Sequence, residues 1–360
     1  MRALVAMSGG VDSSVAAALM LDQGYEVIGV TLKQWEGPDG TMPVAGCCTL
    51  SDAEDARRVA AQLDIPYYVL DYVEEFTAAV VEPFAQGYLD GLTPNPCIEC
   101  NRNVRFDALL DRTTDLGCDV LVTGHHARIA EIDGTFRLQR AVDGTKDQSY
   151  VLHMLDQKAL SMVKLPVGEM TKIMVREYAA TMGLRTAAKP DSQDICFVTS
   201  GDYRDFLRNT HPEVAAPGAV LDTDGAVVGQ HGGTAGFTIG QRKGLGVAVG
   251  EPRYVLDIAP RDRTITIGRY EDLLVDDCVV TDMRFTDLPP SEGDRVQVKL
   301  RYRSEPVEAT ITRAGETWHF LFEDRQPRPA PGQALVMYEG EFVLGGGTIV
   351  DARKRVGVSG

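Results

Sequence analysis

Short apolar runs alternate with helix-like stretches along the first 130 residues. Leu4-Val5-Ala6-Met7 is a first strand, and the chain turns after it at Ser8-Gly9-Gly10. Val27–Leu32 reads as a second buried strand, Tyr67–Leu70 as a third and Val120–Thr123 as a fourth. Between them, Asp12 to about Gln23, Ser51 to Leu63, Glu74 to Tyr88 and residues 101–116 have helical spacing. Ser51, with Glu54 at capping-box distance, predicts the start of the second of these helices. Thr93-Pro94-Asn95-Pro96 forces a loop. Apolar strands separated by helices imply a parallel sheet covered on both faces. Residues 145–183 read as mostly helical. After about Ser200 the texture changes to short alternating runs such as Thr264-Ile265-Thr266-Ile267. Turn signals at Asp222–Gly225, Ala259–Asp262 and Arg313–Glu316 punctuate them, an all-β pattern. Breaks near 200–215 and 272–280 give three modules: 1–200, 201–273 and 274–360.

Composition fits this picture. Of 360 residues, 44% are hydrophobic and 24% charged, which is enough apolar material for a core and excludes general disorder. No apolar run approaches the ~18 residues of a membrane span. The N-terminus carries no apolar or Arg/Ser-rich leader, and strand-like residues begin at Ala3, so a cytoplasmic location is expected. The net charge of −16 argues against a general nucleic-acid coat protein. The charge is uneven. Residues 1–94 carry 4 basic and 14 acidic side chains, residues 95–190 carry 13 and 12, and the remainder 19 and 26. A phosphate-contacting patch is compatible with that balance but not predicted by it. Seven cysteines with no secretory signal make a disulfide framework unexpected.

The candidate chemistry begins at Ser8-Gly9-Gly10-Val11-Asp12-Ser13-Ser14, between the first strand and the first helix. Two glycines let the backbone turn tightly and aim N–H groups at one point. The helix N-terminus adds partial positive charge, and Ser8, Ser13 and Ser14 add hydroxyl donors. This is an anion cradle of phosphate size. It is neither a Walker loop, since no Gly-Lys-Ser/Thr follows, nor a dinucleotide G-x-G-x-x-G. A serine-capped glycine turn is the plainer reading of the glycines alone. The complete segment resembles the PP-loop of the ATP pyrophosphatase superfamily, whose members cleave ATP to AMP and pyrophosphate and adenylate a substrate oxygen.

Cys97 and Cys100 form a C-x-x-C in a loop that leads into a helix. A thiolate at a helix start is stabilised, which makes Cys100 a plausible nucleophile. Cys196 sits far along the chain in Asp191-Ser192-Gln193-Asp194-Ile195-Cys196-Phe197, where a lone cysteine is ordinarily a buried structural thiol. Cys47-Cys48, Cys118 and Cys278 read as structural or incidental.

The ordered set of motifs is more specific than any member. Ser-Gly-Gly-Val-Asp-Ser-Ser is followed by Thr93-Pro94-Asn95-Pro96 with Cys100-Asn101, then Gly124-His125, Lys146-Asp147-Gln148-Ser149-Tyr150, Ser192–Phe197 and Gly236–Gly246. Over nearly its whole length the chain resembles the bacterial tRNA-specific 2-thiouridylases. The resemblance implies an α/β PP-loop domain (adenine nucleotide alpha hydrolase-like parallel sheet), a small β-rich central domain and a C-terminal β-barrel. It implies ATP-dependent replacement of oxygen by sulfur at C2 of the wobble uridine. The substrates implied are the anticodon arms of tRNA(Lys), tRNA(Glu) and tRNA(Gln). It also implies a partner that donates sulfur, such as a cysteine desulfurase or a sulfur-relay protein, and no membrane.

Carried over residue by residue, Cys196 receives sulfur as a persulfide and Cys100 is the second catalytic thiol. The two would close a transient disulfide as sulfur is released. Ala6, Met7, Ser8, Gly9, Gly10, Val11, Asp12, Ser13, Leu32 and Gly124 would contact ATP, with Mg²⁺ expected beside Asp12. Asn95, Pro96 and Cys97 would frame the target base. His125, Lys146, Asp147, Gln148, Arg301, Tyr302 and Gln333 would touch tRNA, and Arg242-Lys243 suits close approach to phosphate. Each of these also reads as an ordinary surface or loop residue on spacing alone.

The chain departs from the resemblance at one position. Many relatives have aspartate three residues before the first catalytic cysteine, where this chain has Cys97. Three readings of the cysteines therefore stand: a persulfide relay, three corners of a [4Fe–4S] cluster on Cys97, Cys100 and Cys196, or structural zinc. Two rival functions stand as well. One is a different adenylating PP-loop synthetase, which needs no cysteine pair. The other is a non-catalytic RNA-binding module with zinc on its cysteines.

Overall fold

A computed structural model of the chain describes residues 1–36, 49–191, 195–198, 202–247 and 250–354. Cys47-Cys48 and Ser192-Gln193-Asp194 lie outside the described residues. The chain opens with β1 (Arg2–Ala6), α1 (Val11–Asp22), β2 (Glu26–Lys33), α2 (Leu50–Gln62) and β3 (Tyr67–Asp71). Two interrupted helices follow. The first runs as α3 (Val73–Phe76), a π-helical stretch Thr77–Val81 and α4 (Glu82–Leu89). The second runs as α5 (Pro96–Glu99), a π-helical stretch Cys100–Ala108 and α6 (Leu109–Asp115). Then come β4 (Val120–Val122), the hairpin β5 (Ala127–Ile132) and β6 (Thr135–Arg140), α7 (Gln157–Met162), β7 (Val163–Lys164) and α8 (Lys172–Thr181).

Among the described residues, β3, β2, β1, β4 and β7 form one parallel sheet in that order. Its central strands are apolar because both faces are covered, whereas β3 at the edge leaves Tyr68 and Val69 exposed. Leu4, Val30 and Leu121 face one core, with Phe76, Phe84 and Leu109 against them. Ala3, Val5, Val27, Val120 and Val122 face the other, under Val15, Val59 and Val175. Alternation along β1 sends successive side chains to opposite cores. The strand order reverses between β1 and β4. A doubly wound sheet opens a crevice for ligands at the C-terminal ends of its strands at such a point.

The remainder is β-rich, as expected. After α9 (Tyr203–Thr210), β8 (Gly218–Leu221), β9 (Val227–His231), β10 (Tyr254–Ala259) and β11 (Thr264–Gly268) pair in the order β10-β11-β8-β9. After α10 (Tyr270–Leu273) come β12 (Leu274–Phe285), β13 (Arg295–Lys299), β14 (Val307–Arg313), β15 (Trp318–Pro327), β16 (Ala334–Glu339) and β17 (Phe342–Arg353). These six close a barrel, because β12 pairs with both β15 and β17. Val298, Ile311, Phe320, Leu335 and Met337 fill it. The three turn signals read from sequence join β8 to β9, β10 to β11 and β14 to β15.

Three expectations need correction and one needs refining. The cap of α2 is Thr49 with Asp52, not Ser51 with Glu54. Thr49 Oγ1 accepts from the Asp52 N–H at 3.1 Å, and the Asp52 carboxylate accepts from the Thr49 N–H at 2.9 Å. Residues 145–183, mostly helical as expected, are not wholly so. They include β7, which pairs Val163 with Leu121 and extends the sheet. The β5–β6 hairpin, within the first 200 residues, joins the barrel's sheet through Gln139 opposite Phe342. Finally, Cys100 is not at a helix start: Asn95 caps α5, accepting from the Cys97 N–H at 3.1 Å, and Cys100 lies a turn further on.

Candidate active site

The glycine loop crosses from β1 to α1 at the reversal in strand order. Gly9 has φ +72°, and a Cβ there would stand 2.2 Å from the Asp52 carbonyl oxygen, so only glycine fits. Gly124, just past β4, packs equally hard on α1: a Cβ would meet the Ser13 amide nitrogen at 2.6 Å. Ser13 Oγ accepts from the Ser8 N–H at 3.1 Å and donates to the Gly10 carbonyl at 3.2 Å; Ser14 Oγ donates to the same carbonyl at 2.7 Å. Gly10 is the cap residue of α1 and supplies no side-chain cap, leaving the first N–H groups of the helix to an anion. Ala6 pairs with Val30 at the end of β1, and Leu32 lies two residues beyond on β2. The ten residues expected to hold ATP therefore gather at one end of β1, β2 and β4.

The loop's acid is already paired. Asp12 accepts from Lys172 Nζ at 2.7 and 2.8 Å and from His126 Nε2 at 3.0 Å. Burial alone would raise the Asp12 carboxyl, but the His126 and Lys172 hydrogen bonds outweigh it and the net shift is downward. Asp12 is engaged by two basic side chains, and among the described residues no group of three His, Cys, Asp or Glu is gathered around it, so the residues do not fit a resident metal there. Lys172 also reaches Asp191 at 2.8 Å, and Asp191 further accepts from Lys146 and Arg176 at 2.8 and 2.9 Å. Burial opposes ionisation of Asp191, but hydrogen bonds from Lys146 and Lys172 hold it at about 2. On the α2 side, Lys189 Nζ bonds the Gly9 carbonyl at 2.9 Å and Asp52 and Asp55 at 2.7 Å each.

The two catalytic cysteines proposed from sequence enter a common apolar cluster. Cys100 is buried, and Gln34, just past the end of β2, donates to its Sγ at 3.3 Å. Cys196 is half-buried beside Phe197. Phe197 is 1% exposed and meets Phe84, Phe206, Phe76 and Trp35 at ring distances of 5.2, 5.3, 5.9 and 6.4 Å. That cage pins the Cys196 turn to the core containing Cys100. Cys97 is exposed and lies within electrostatic reach of Tyr302. Among the described residues, no three His, Cys, Asp or Glu side chains are gathered to hold a metal. The three cysteines thus do not fit the cluster or zinc readings.

The residues expected to meet tRNA separate into two groups. Arg301, Tyr302 and Gln333 line an open cleft of about 370 Å³ with Thr93 and Ile239, so all three modules contribute. Gln333 Nε2 donates to the Thr93 carbonyl at 2.5 Å and ties the segment ahead of α5 to the barrel. Tyr302 packs edge-on to Tyr150 at 6.0 Å. The others brace the glycine-loop side. Gln148 Oε1 accepts from the His126 N–H at 2.8 Å, Asp147 accepts from the Ala141 and Ser149 N–H groups, and Lys146 holds Asp191. His125 is buried; its Nε2 accepts from Arg105 at 3.4 Å, and Nδ1 bonds Thr123 Oγ1 at 2.8 Å. Burial, then the Arg105 charge, pushes it down to about 3.

Sequence reasoning missed Lys172, Lys189, Asp191 and Gln34 as site residues. One signal existed. Lys172 is the first residue of α8, where a cation runs against the helix dipole.

A glycine loop at the switch point of a parallel sheet, in a chain that also brings two cysteines into one apolar cluster, defines an α/β protein of the PP-loop class. Comparison with known proteins narrows the class. Residues 1–200 match the tRNA methyl transferase HUP domain, 204–269 the tRNA methyl transferase PRC-barrel domain and 275–349 the aminomethyltransferase beta-barrel domain. The tRNA-specific 2-thiouridylase MnmA of Chloroflexus aggregans is 48% identical over 357 residues, covering 98% of this chain and 99% of the relative. Those of Carboxydothermus hydrogenoformans and Clostridioides difficile are 47% and 44% identical, covering 97% of this chain each and 97% and 98% of the relatives. A solved 4-thiouridine synthetase with RNA and bound ATP matches 59% of this chain and 50% of its own, at a TM-score of 0.37 and 16% identity. The chain belongs to the tRNA-specific 2-thiouridylase family.

Proposed function

We propose that this protein is a tRNA-uridine 2-sulfurtransferase that uses ATP. Family membership over nearly the full length supports the reaction, and one observation carries the assignment of residues. Cys196, on the Phe197 anchor, enters the same buried cluster as Cys100, whose Sγ accepts from Gln34 just past β2, at the end of the parallel sheet where the glycine loop also leaves β1. The two thiols are thereby brought into one cluster.

The steps follow from the groups present. ATP, accompanied by Mg²⁺ as substrate, lies on the glycine loop. The C2 oxygen of the wobble uridine attacks the α-phosphorus; an O-adenylate forms and pyrophosphate leaves. A donor protein has by then transferred sulfur to Cys196 as a persulfide. The terminal sulfur attacks C2, the C2–O bond breaks and AMP departs, leaving tRNA joined to Cys196 through a disulfide. The Cys100 thiolate attacks Cys196 Sγ, expelling the thiouridine sulfur and closing a Cys100–Cys196 disulfide. An external thiol reductant reopens it. The base must leave the anticodon stack to reach this point. Asn95, Pro96 and Cys97 frame it, and Arg301, Tyr302 and Gln333 line the cleft for the single-stranded loop, where a ring and a cation suit unstacked bases.

The tRNAs served are those for lysine, glutamate and glutamine, and the sulfur donor is a cysteine desulfurase or relay protein. The family matches at 1–200, 204–269 and 275–349 support the division into 1–200, 201–273 and 274–360. A cytoplasmic location agrees with the absence, among the described residues, of a helix long and apolar enough to cross a membrane. The test is mass analysis of tRNA nucleosides after incubation with ATP and a sulfur donor. Cys196→Ser and Cys100→Ser are expected to abolish 2-thiouridine while leaving ATP binding intact. Full single-turnover activity of Cys196→Ser would refute the sulfur-carrier role.

A further inference from the structure

The glycine loop has no lysine, whereas Walker loops carry one for the β- and γ-phosphates. A polyphosphate set beside the Asp12 carboxylate needs a cation from elsewhere. Two lysines touch the loop. Lys189 donates to a loop carbonyl, Gly9, and to two carboxylates on α2, and so fixes the loop's shape. Lys172 sits differently. It is nine-tenths buried, and its Nζ lies on Asp12, in the first turn of α1, which packs against Gly124. That is the β1/β4 crevice.

Lys172 has no structural task on its own helix. The cap of α8 is Thr171, which accepts from the Met174 N–H, and a cation at the first helical position opposes the dipole. Its two carboxylate partners each keep another basic partner without it. Asp12 keeps His126, and Asp191 keeps Lys146 and Arg176, if Lys172 turns away. A buried cation between two anions that each hold a second partner is free to exchange one of them.

We propose that Lys172 is the phosphate-binding cation of the ATP site, giving up Asp191 for a phosphate oxygen when ATP arrives. The inference rests on the reading that the glycine loop binds ATP. Asp191 is then the resting counter-ion, and Lys146 and Arg176 compensate it in the loaded state.

Equilibrium titration with Mg·ATP tests this on the full chain, comparing wild type, Lys172→Ala, Lys172→Arg and Asp191→Asn. Loss of a charged hydrogen bond predicts about 10- to 100-fold weaker binding for Lys172→Ala. Lys172→Arg, which keeps the charge, should stay within about threefold of wild type. Asp191→Asn removes the competing anion and should bind ATP more tightly than wild type, a result no scaffolding role for the bridge produces. Binding by Lys172→Ala equal to wild type overturns the assignment. So does Asp191→Asn binding no tighter, which remains readable if Lys172→Ala fails to fold. Wild type that binds no ATP overturns the loop reading itself, and this inference with it.

Discussion

Phe197 illustrates how a single apolar residue can serve a chemical step. It is wholly buried, touches four other aromatic rings and is covalently next to Cys196. Edge-to-face aromatic contacts add to the area such a ring removes from water. Deleting it should cost about 3–5 kcal/mol of stability by the usual range for Phe→Ala in a core. The functional consequence should be selective. Phe197→Ala is expected to lose most 2-thiouridine formation while its ATP affinity stays near wild type, because the glycine loop stands on the other elements of the sheet. Denaturant unfolding gives the first quantity and nucleoside analysis the second. Wild-type thiolation by a destabilised Phe197→Ala would show that the Cys196 turn needs no such anchor. Gly9 is a residue of the opposite kind, fixed by backbone rather than by packing: φ +72° and the nearby Asp52 carbonyl leave no room for any side chain.

At the scale of elements, the start of α2 reaches into the site. Thr49 and Asp52 cap each other; the same Asp52 holds Lys189, and Lys189 holds the Gly9 carbonyl. Thr49→Ala should therefore cost about 1 kcal/mol, the typical value of a lost N-cap. Ser51→Ala, at an exposed position one residue into the helix, should change stability by less than about 0.5 kcal/mol. Denaturant midpoints of the two variants decide between these positions. The difference shows what a linear reading of this chain reaches. Strands β1, β2 and β4 were legible because a strand covered on both faces is apolar over most of its length, β3 because its run of Tyr67-Tyr68-Val69-Leu70 is apolar although it lies exposed at the sheet edge, and the glycine loop because its residues are contiguous. The cap was displaced by two residues because Ser51 and Thr49 have equivalent chemistry and only the backbone distinguishes them. β7 was hidden because two residues, Val163 and Lys164, carry no periodicity. Lys172, Asp191 and Gln34 were not legible for another reason. Lys172 and Asp191 stand 160 and 179 positions from Asp12, Gln34 stands 66 from Cys100, and their partners are chosen by the sheet rather than by spacing.

For the molecule as a whole, two neutral histidines lie where large parts meet. His125 sits behind β4 against the Phe106 ring and Arg105. His153 lies between the first module and the barrel, so close to β17 that a Cβ on Gly346 would stand 2.8 Å from its ring. Burial, then Arg105 and His126, pushes His125 down to about 3. Burial pushes His153 down to about 4; its bond to the Tyr150 carbonyl works against the shift and Arg102 adds to it. In the unfolded chain both would titrate near 6.5, an ordinary histidine value. The unfolded state therefore binds protons first as pH falls, and stability drops with it. The contribution is complete above about pH 6.5 and is lost progressively toward about pH 4, with a limiting slope near 1.4 kcal/mol per pH unit for each ring. Asp12 and Asp191, held below the usual carboxylate range, add their own loss only below about pH 4. Denaturant unfolding at pH 8, 7, 6 and 5 should show a plateau followed by a decline, and His153→Gln, which cannot take a proton, should flatten the decline by about one proton's worth. A wild type equally stable at pH 8 and pH 5 would mean that these rings already carry their charge in the folded protein, and that the junction between sheet and barrel is wetter than its packing implies.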